Sequence, residues 1–183
     1  MKTYQLARPH AILVVGIPGS GKTFFARHFS ETFRAPFIED RMIMDHVPDQ
    51  DAADEILRVL LGEISKTRHT FVYEPLQGDQ VTRSEFVRWA RSLDYDPLIV
   101  WVQTDEATAA KRSRQNGVDK TEYDDLVRKF VAPHAIERPL VISGKHTQSS
   151  QTRTVLKRIS DNQPSEAVKV PVRDSIITQT RVR

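Results

Sequence analysis

A glycine-rich run near the amino end carries the clearest chemical pattern in this sequence. It matches the spacing G-x-x-x-x-G-K-[ST] at every fixed position and consists of Gly16, Ile17, Pro18, Gly19, Ser20, Gly21, Lys22 and Thr23. Its glycines let the backbone curl, so that successive N–H groups converge on phosphate oxygens. We expect Lys22 to reach the β- and γ-phosphates of ATP and the Thr23 hydroxyl to bind Mg²⁺. The alternative, an incidental glycine turn, is disfavoured because an apolar run precedes the pattern and a helical segment follows it.

Acidic residues follow two of the predicted strands. Glu74 closes one of them, where a carboxylate can hold the hydration shell of Mg²⁺. The alternative for Glu74 is a loop acid without a partner. Asp40 follows a shorter strand and is a candidate to deprotonate or orient the hydroxyl of an acceptor substrate. It is equally interpretable as a solvated turn acid, and Asp45 is a second candidate for the same role.

A basic cluster precedes the Asn116-Gly117 turn. Arg112 and Arg114 in this cluster are expected to form a short mobile lid that neutralises the transferred phosphate. The alternative is a solvated helix face, since runs of charge usually face water.

Two further cations are candidates for substrate or nucleotide binding. Arg83 lies in the first turn of a predicted helix, where a cation opposes the helix dipole, so a role in holding a substrate phosphate or sugar would explain it. Lys145 lies in the loop after the last predicted strand, which is expected to pass close to the nucleotide base. An ordinary connector is the alternative for that loop.

Apolar runs alternate with amphipathic segments, which predicts a parallel sheet flanked by helices. The predicted strands are Ala11–Val15, Pro36–Glu39, Thr70–Glu74, Leu98–Gln103 and Leu140–Ile142. Helices are predicted over residues 22–33, 51–66, 82–93, 121–130 and 150–159, with one more beginning at residue 104. Thr82 and Glu85 predict a capping box for the third of these helices, and Thr104 predicts the cap of the helix after the fourth strand. One domain over residues 1–159 and an arm over residues 160–183 are expected, the arm containing the alternating Val168, Val170 and Val172.

Composition excludes several classes of function. The 183 residues contain no cysteine, so disulfides, thiolate metal sites and cysteine nucleophiles are impossible. The net charge of +3 permits a nucleic-acid partner but supports one only weakly. Apolar runs are too short to span a bilayer, and residues 1–10 lack the apolar stretch of a signal peptide. These features predict a soluble, cytoplasmic protein without a membrane partner, and they leave its oligomeric state open.

Three segments resemble the small P-loop kinases of the adenylate-kinase-like, polynucleotide-kinase-like and zeta-toxin-like group. These segments are Leu13–Thr23, Phe71–Tyr95 and Val100–Arg114. The resemblance implies an α/β P-loop NTPase fold, a three-layer sandwich whose five-stranded parallel sheet has the order 2-3-1-4-5, with the Glu74 strand beside the P-loop strand. It also implies a lid arginine at Arg112, with Arg114, and a substrate-side arginine at Arg83.

The sequence departs from that group on the acceptor side. Relatives of the polynucleotide-kinase type carry Asp-x-x-Arg after the second strand, whereas here Ile43 stands three residues after Asp40 and Arg41 is adjacent to it. Glu74, followed by Pro75, stands where the group usually has an aspartate.

The leading functional hypothesis is therefore an ATP-dependent kinase. It would move the γ-phosphate to a nucleoside, a nucleotide, a polynucleotide end or another small hydroxyl compound. One alternative is an ATPase or nucleotide-dependent switch of the AAA type, for which ring formation with ATP would be diagnostic. A second alternative is an ATP-using nucleic-acid repair or binding module, for which a steep salt dependence of nucleic-acid retention would be diagnostic.

Overall fold

A single parallel sheet forms the middle layer of the protein. The computed structural model describes residues 8–161, so the expected arm and its three valines lie outside the described residues. The strands are β1 (His10–Val15), β2 (Phe37–Glu39), β3 (Phe71–Glu74), β4 (Asp96–Gln103) and β5 (Leu140–Ser143). All four pairings are parallel and the order is β2-β3-β1-β4-β5. The predicted fold class and strand order are confirmed.

Seven helices flank this sheet within residues 8–161. They are α1 (Lys22–Phe33), α2 (Asp40–Met44), α3 (Gln50–Lys66), α4 (Gln80–Ser92), α5 (Glu106–Gln115), α6 (Lys120–Lys129) and α7 (Gln148–Asp161). The short helix α2 and a 3-10 turn at Ala135–Glu137 were not predicted from the sequence. Both are too short to show a periodic apolar pattern.

Two predicted helix caps are wrong for the same reason. Asp79, not Thr82, caps α4, and its side chain accepts a hydrogen bond from the Thr82 backbone N–H at 2.8 Å. Asp105, not Thr104, caps α5 in the same way. Asp79 lies before Thr82 in the sequence, and Asp105 lies directly after Thr104. Aspartate and threonine are both favoured N-cap residues, so the local pattern alone does not choose between them.

The core divides into two apolar layers, one on each side of the sheet. Side chains at alternate positions of β1 point to opposite faces, as strand geometry requires. Ile12 and Val14 join a buried cluster with Phe25 of α1 and Val155 of α7. Residues 11, 13 and 15 join a second cluster with aromatic residues of β3 and α4. Burial of β1 on both faces explains its continuous apolar sequence.

The carboxyl ends of the strands meet at one edge of the sheet. Glu39 is level with Glu74 in the pairing of β2 with β3, and Gln103 is level with Ser143 in the pairing of β4 with β5. Ligands of open α/β sheets bind at this edge. Among the helices between residues 8 and 161, none is long and apolar enough to cross a membrane.

Candidate functional site

The glycine-rich loop connects β1 directly to α1. Gly16, Gly19 and Gly21 have φ values of 153°, 73° and 102°, in the region that favours glycine. A Cβ added at Gly19 would lie 2.1 Å from the Ala109 carbonyl oxygen of α5. The loop is thus pressed against α5, and α1 begins at Lys22, so its free N–H groups face the loop.

Two neighbouring loops hold the glycine-rich loop in place. Thr104 Oγ1 donates a hydrogen bond to the Ser20 carbonyl at 2.9 Å. Gly144, after β5, lies so close to that carbonyl that an added Cβ would be 1.8 Å from its oxygen. Arg112 Nη1 donates to the Gly144 carbonyl at 3.0 Å. The loop is therefore fixed by segments that follow β4 and β5, which the local motif does not specify.

Lys22, Thr23 and Glu74 form a compact polar group at the base of α1. Thr23 Oγ1 donates to Glu74 Oε1 at 3.0 Å, and Lys22 Nζ lies 3.8 Å from the same oxygen. Lys22 Nζ also donates to the Ile17 carbonyl at 3.3 Å. Burial lowers the pKa of Lys22 and raises the pKa of Glu74, and the attraction between the two groups only partly offsets these effects. The attraction between Lys22 and Glu74 therefore does not fully compensate for the burial of their charges.

A first cavity of about 310 Å³ opens above this group. Lys22, Thr23 and Glu74 line its floor, and Arg41 and Lys129 add cations to its wall. Arg41 Nη2 is held 3.4 Å from Glu122 Oε1 of α6. Neither Arg41 nor Lys129 was a sequence candidate, because each lies on a helix whose position depends on the whole fold. With Glu39 and Glu74 also in the lining, cations outnumber carboxylates by three to two, and this small excess together with the backbone N–H groups of the glycine-rich loop suits phosphate groups.

Asp40 lies at the start of α2 and lines a second cavity of about 570 Å³. Tyr73 Oη and the Leu76 N–H donate to its Oδ2 at 3.0 and 2.9 Å. Its Oδ1 is buried and has no hydrogen-bond partner among residues 8–161. Burial raises the pKa of Asp40, and the two hydrogen bonds oppose that rise. Leu76 and Gln77 line both cavities, so Asp40 stands beside the wall that they share.

The remaining sequence candidates lie outside these two cavities. Asp45 is exposed at the carboxyl end of α2 and is not among the described residues that line either cavity. Arg114 is exposed on α5, while Ser113 and Asn116 beside it line the first cavity. Lys145 forms an ion pair with Asp105, whose pKa is lowered mainly by that contact. Lys145 thus contacts the residue next to Thr104, whose hydroxyl holds the glycine-rich loop.

Arg83 does not face either cavity, contrary to the expectation of a substrate contact. Its guanidinium is buried and forms two parallel bonds to Glu137, from Nε to Oε2 at 2.7 Å and from Nη2 to Oε1 at 2.9 Å. Nη1 donates to the Gly78 and Val131 carbonyls. A cation near the start of α4 is therefore explained by these structural contacts, which hold the segment after β3 against the 3-10 turn.

Comparisons with known proteins agree with this geometry. A family model described as an AAA domain matches residues 12–132. No protein with a curated description matches the chain in sequence. The solved structure of a gluconokinase from Sinorhizobium meliloti 1021 has 18% identity and a TM-score of 0.61, covering 84% of this chain and 93% of that one.

Two further solved structures carry nucleotides or their analogues. Chaetomium thermophilum Kti12, in complex with ADP-AlF3, has 18% identity and a TM-score of 0.64 over 85% of this chain and all (100%) of that one. Mycobacterium tuberculosis APS kinase, in complex with AMPPNP and APS, has 14% identity and a TM-score of 0.63 over 84% and 98% of the two chains. At these identities the likeness establishes the fold, which is that of the small P-loop kinase-like nucleotide-binding proteins.

Proposed function

This chain belongs to the AAA-domain family that matches residues 12–132, and on that premise we propose that it is an ATP-dependent phosphotransferase. It moves the γ-phosphate of ATP to a hydroxyl group of an acceptor substrate. The observation that carries the proposal is the pair of adjoining cavities, one lined by Lys22 and the other by Asp40, with Leu76 and Gln77 in the wall between them. A protein that only hydrolyses ATP does not require the second cavity. The gluconokinase and the APS kinase among the similar structures also support transfer.

The first cavity is the ATP site in this proposal. The backbone N–H groups of the glycine-rich loop and the start of α1 hold the phosphates, and Lys22 contacts the β- and γ-phosphates. These phosphates add negative charge beside Lys22, whose attraction to Glu74 only partly offsets the cost of its burial. In this proposal the base lies outside the first cavity, beside Lys145 and Ile17, which line a third cavity, and Arg112 donates to the carbonyl of the adjacent Gly144.

Thr23 and Glu74 fit a Mg²⁺ site. Both side chains offer hard oxygen atoms, and Thr23 Oγ1 lies 3.0 Å from Glu74 Oε1. The other carboxylate oxygen, Glu74 Oε2, is buried without a hydrogen-bond partner in the described part of the chain. Mg²⁺ bound there would supply positive charge that neutralises the phosphates of ATP. Thr23 would hold the ion through its hydroxyl, and Glu74 would orient that hydroxyl and help hold the hydration shell of the ion.

Asp40 is the acceptor-side base. The acceptor oxygen forms a bond to the γ-phosphorus, and the bond from that phosphorus to the β–γ bridging oxygen breaks. ADP leaves with the electron pair of that bond, and the Asp40 carboxylate, which lines the second cavity, takes the proton of the acceptor hydroxyl. Tyr73 and the Leu76 N–H hold this carboxylate in place through its Oδ2. Arg41 and Lys129 neutralise the charge that spreads over the transferred group.

The proposal is tested by following label from [γ-³²P]ATP in the presence of Mg²⁺. Nucleosides, nucleotides, sugars, aminoglycosides and 5′-hydroxyl oligonucleotides serve as acceptors in separate reactions. Label in an acceptor supports transfer. Label in inorganic phosphate alone, whichever acceptor is present, contradicts transfer and supports an ATPase.

Lys22→Ala provides the control for this assay. Because it removes the charge that meets the β- and γ-phosphates, we expect it to abolish label transfer and most of the rise in Tm that ATP produces by binding the folded state. Wild-type affinity and turnover in Lys22→Ala would show that the first cavity is not the ATP site.

A further inference from the structure

The second cavity has a charge that restricts what it can bind. Three carboxylates line it, from Asp40, Asp54 and Glu85, whereas Arg58 is the one cation among its described lining residues. The Arg58 side chain is 77% exposed and lies 3.7 Å from Glu55, and the Glu85 side chain is 65% exposed and lies 3.9 Å from Arg88, so neither of these charges contributes much to the cavity. The half-buried Asp40 and the exposed Asp54 remain, so the net charge of the lining is negative.

Neither Asp40 nor Asp54, which both line the cavity, is paired with a cation among residues 8–161. Asp54 accepts a hydrogen bond from Gln50 at 2.7 Å, and Asp40 accepts its bonds from Tyr73 and the Leu76 N–H. Burial is the largest cause that raises the pKa of Asp40 and of Tyr73, and the charge of Asp54 adds the smallest contribution to each rise. An anion placed between these groups would add to that repulsion, and a cation would relieve it.

An aromatic wall completes the cavity. Tyr73, Phe86 and Trp89 line it, with ring centroids 5.6 Å apart for Tyr73 and Phe86 and 5.8 Å apart for Phe86 and Trp89. Aromatic faces bind the flat side of a ring and attract cations. The wall thus suits a ring-bearing compound, and its electrostatic preference agrees with that of the carboxylates.

We infer that the acceptor bound in the second cavity is a ring-bearing hydroxyl compound that is neutral or cationic, and that compounds carrying a phosphate or carboxylate near the ring are rejected. The inference rests on the proposed function, because it takes this cavity as the acceptor site. Within that function it separates nucleosides and amine-bearing sugars, which fit, from nucleotides and sugar acids, which do not.

The test is a binding measurement that requires no phosphoryl transfer. Trp101→Phe leaves Trp89 as the one tryptophan of the chain, since the sequence has two. With AMPPNP saturating the first cavity, Trp89 fluorescence is titrated with cytidine and CMP, with glucosamine and glucosamine 6-phosphate, and with kanamycin. We expect the compound without phosphate to bind at least about tenfold more tightly in each pair that binds, with kanamycin also binding.

Variants that remove a carboxylate test whether charge causes this binding preference. Asp54→Asn should weaken kanamycin and glucosamine by about fivefold and leave cytidine unchanged, because only the cations lose an attraction. Asp51→Asn is the matched control, since Asp51 lies on the same helix but does not line the cavity, and it should change none of the affinities.

Equal or tighter binding of the phosphorylated compounds, or no binding by any of the compounds without phosphate, would overturn the inference. Label transfer to CMP or glucosamine 6-phosphate would overturn it as well, while leaving the proposed kinase activity in place. Hydrolysis without transfer would remove the proposed function, whereas the binding preference would still be measurable.

Discussion

The glycine-rich loop and the second cavity differ in how the chain builds them. The motif that contains the loop is eight consecutive residues, and its backbone conformation follows from its glycines and the start of α1, while residues after β4 and β5 hold it in position. The second cavity takes its side chains from α2, α3, β3 and α4 and from the loop between β3 and α4. A contiguous motif is tied to one ligand group, here phosphate, across many proteins. A cavity assembled from distant elements changes with each of them, so the acceptor specificity in the proposed function would depend on this side of the molecule.

The largest expected effect concerns the wall between the two cavities. Arg83 holds this wall through the Gly78 carbonyl and a buried pair with Glu137. Arg83→Met leaves the half-buried Glu137 carboxylate without its cation and with the His134 N–H as its remaining donor, so we expect the free energy of unfolding to fall by about 3 kcal/mol, the low end of the range for a broken buried pair. Denaturant unfolding measures this, and the double variant Arg83→Met/Glu137→Leu should recover part of the loss because no unpaired charge remains.

Arg88→Met is the matched control on the same helix. Arg88 lies 3.9 Å from Glu85 on the exposed side of α4, so its removal should cost less than about 1 kcal/mol. A similarly small effect for Arg83→Met, together with a raised acceptor KM, would restore the substrate role that the sequence suggested.

The second largest expected effect is on ATP affinity and comes from a change in the glycine-rich loop. Gly19→Ala would place a Cβ 2.1 Å from the Ala109 carbonyl oxygen, so α5 and the loop must separate. Such overpacking costs about 1–3 kcal/mol, and we expect ATP affinity, measured by calorimetry, to fall by roughly 10- to 100-fold. Gly117→Ala is the control, since Gly117 also has a positive φ, of 85°, but no described atom lies within 4 Å of an added Cβ. ATP affinity that falls equally in both variants would point to backbone strain instead of the packing of α5.

The smallest expected effect is on the pH dependence of transfer and comes from a change in the second cavity. The Tyr73 hydroxyl lowers the pKa of Asp40 by its hydrogen bond, so Tyr73→Phe should raise that pKa further. A higher pKa keeps Asp40 protonated up to a higher pH. The acid side of the pH profile for transfer should therefore move upward by about one pH unit, the equivalent of one hydrogen bond to a charged group. Tyr95→Phe, whose hydroxyl bonds to the Ser65 and His69 carbonyls, should leave the profile unchanged. A downward shift in Tyr73→Phe would remove Asp40 from the role of base.

Prediction from sequence worked where a local pattern fixes the structure. The five strands, the glycine-rich loop and the helix that follows it were predicted from such patterns, whereas the strand order was implied by the resemblance to the small P-loop kinases. Thr23 and Glu74 lie in contact, and their role toward Mg²⁺ stays a prediction. Apolar runs and glycines carry this information because each constrains the backbone within a few residues.

Prediction failed where a role depends on what lies across the fold. Arg83 is a cation near the start of a helix, and its partner Glu137 lies in a 3-10 turn that has no periodic pattern. Arg41 and Lys129 reach the first cavity only because α2 and α6 pack at its rim. Asp54 and Glu85 are exposed helix residues, and only the positions of α3 and α4 in the fold bring both of them to the lining of the second cavity. Long-range packing, which the sequence does not display, decides these roles.

The central claim is that the first cavity holds ATP while Asp40 in the second directs the phosphate to an acceptor. The most direct measurement is the partition of label from [γ-³²P]ATP between acceptor and inorganic phosphate, compared in the wild type and Asp40→Asn at equal ATP saturation. We expect Asp40→Asn to bind ATP as the wild type does, to lose about 10²- to 10⁴-fold in transfer, and to hydrolyse ATP at a nearly unchanged rate. An unchanged partition in Asp40→Asn, or label found in inorganic phosphate alone for both proteins, would contradict it.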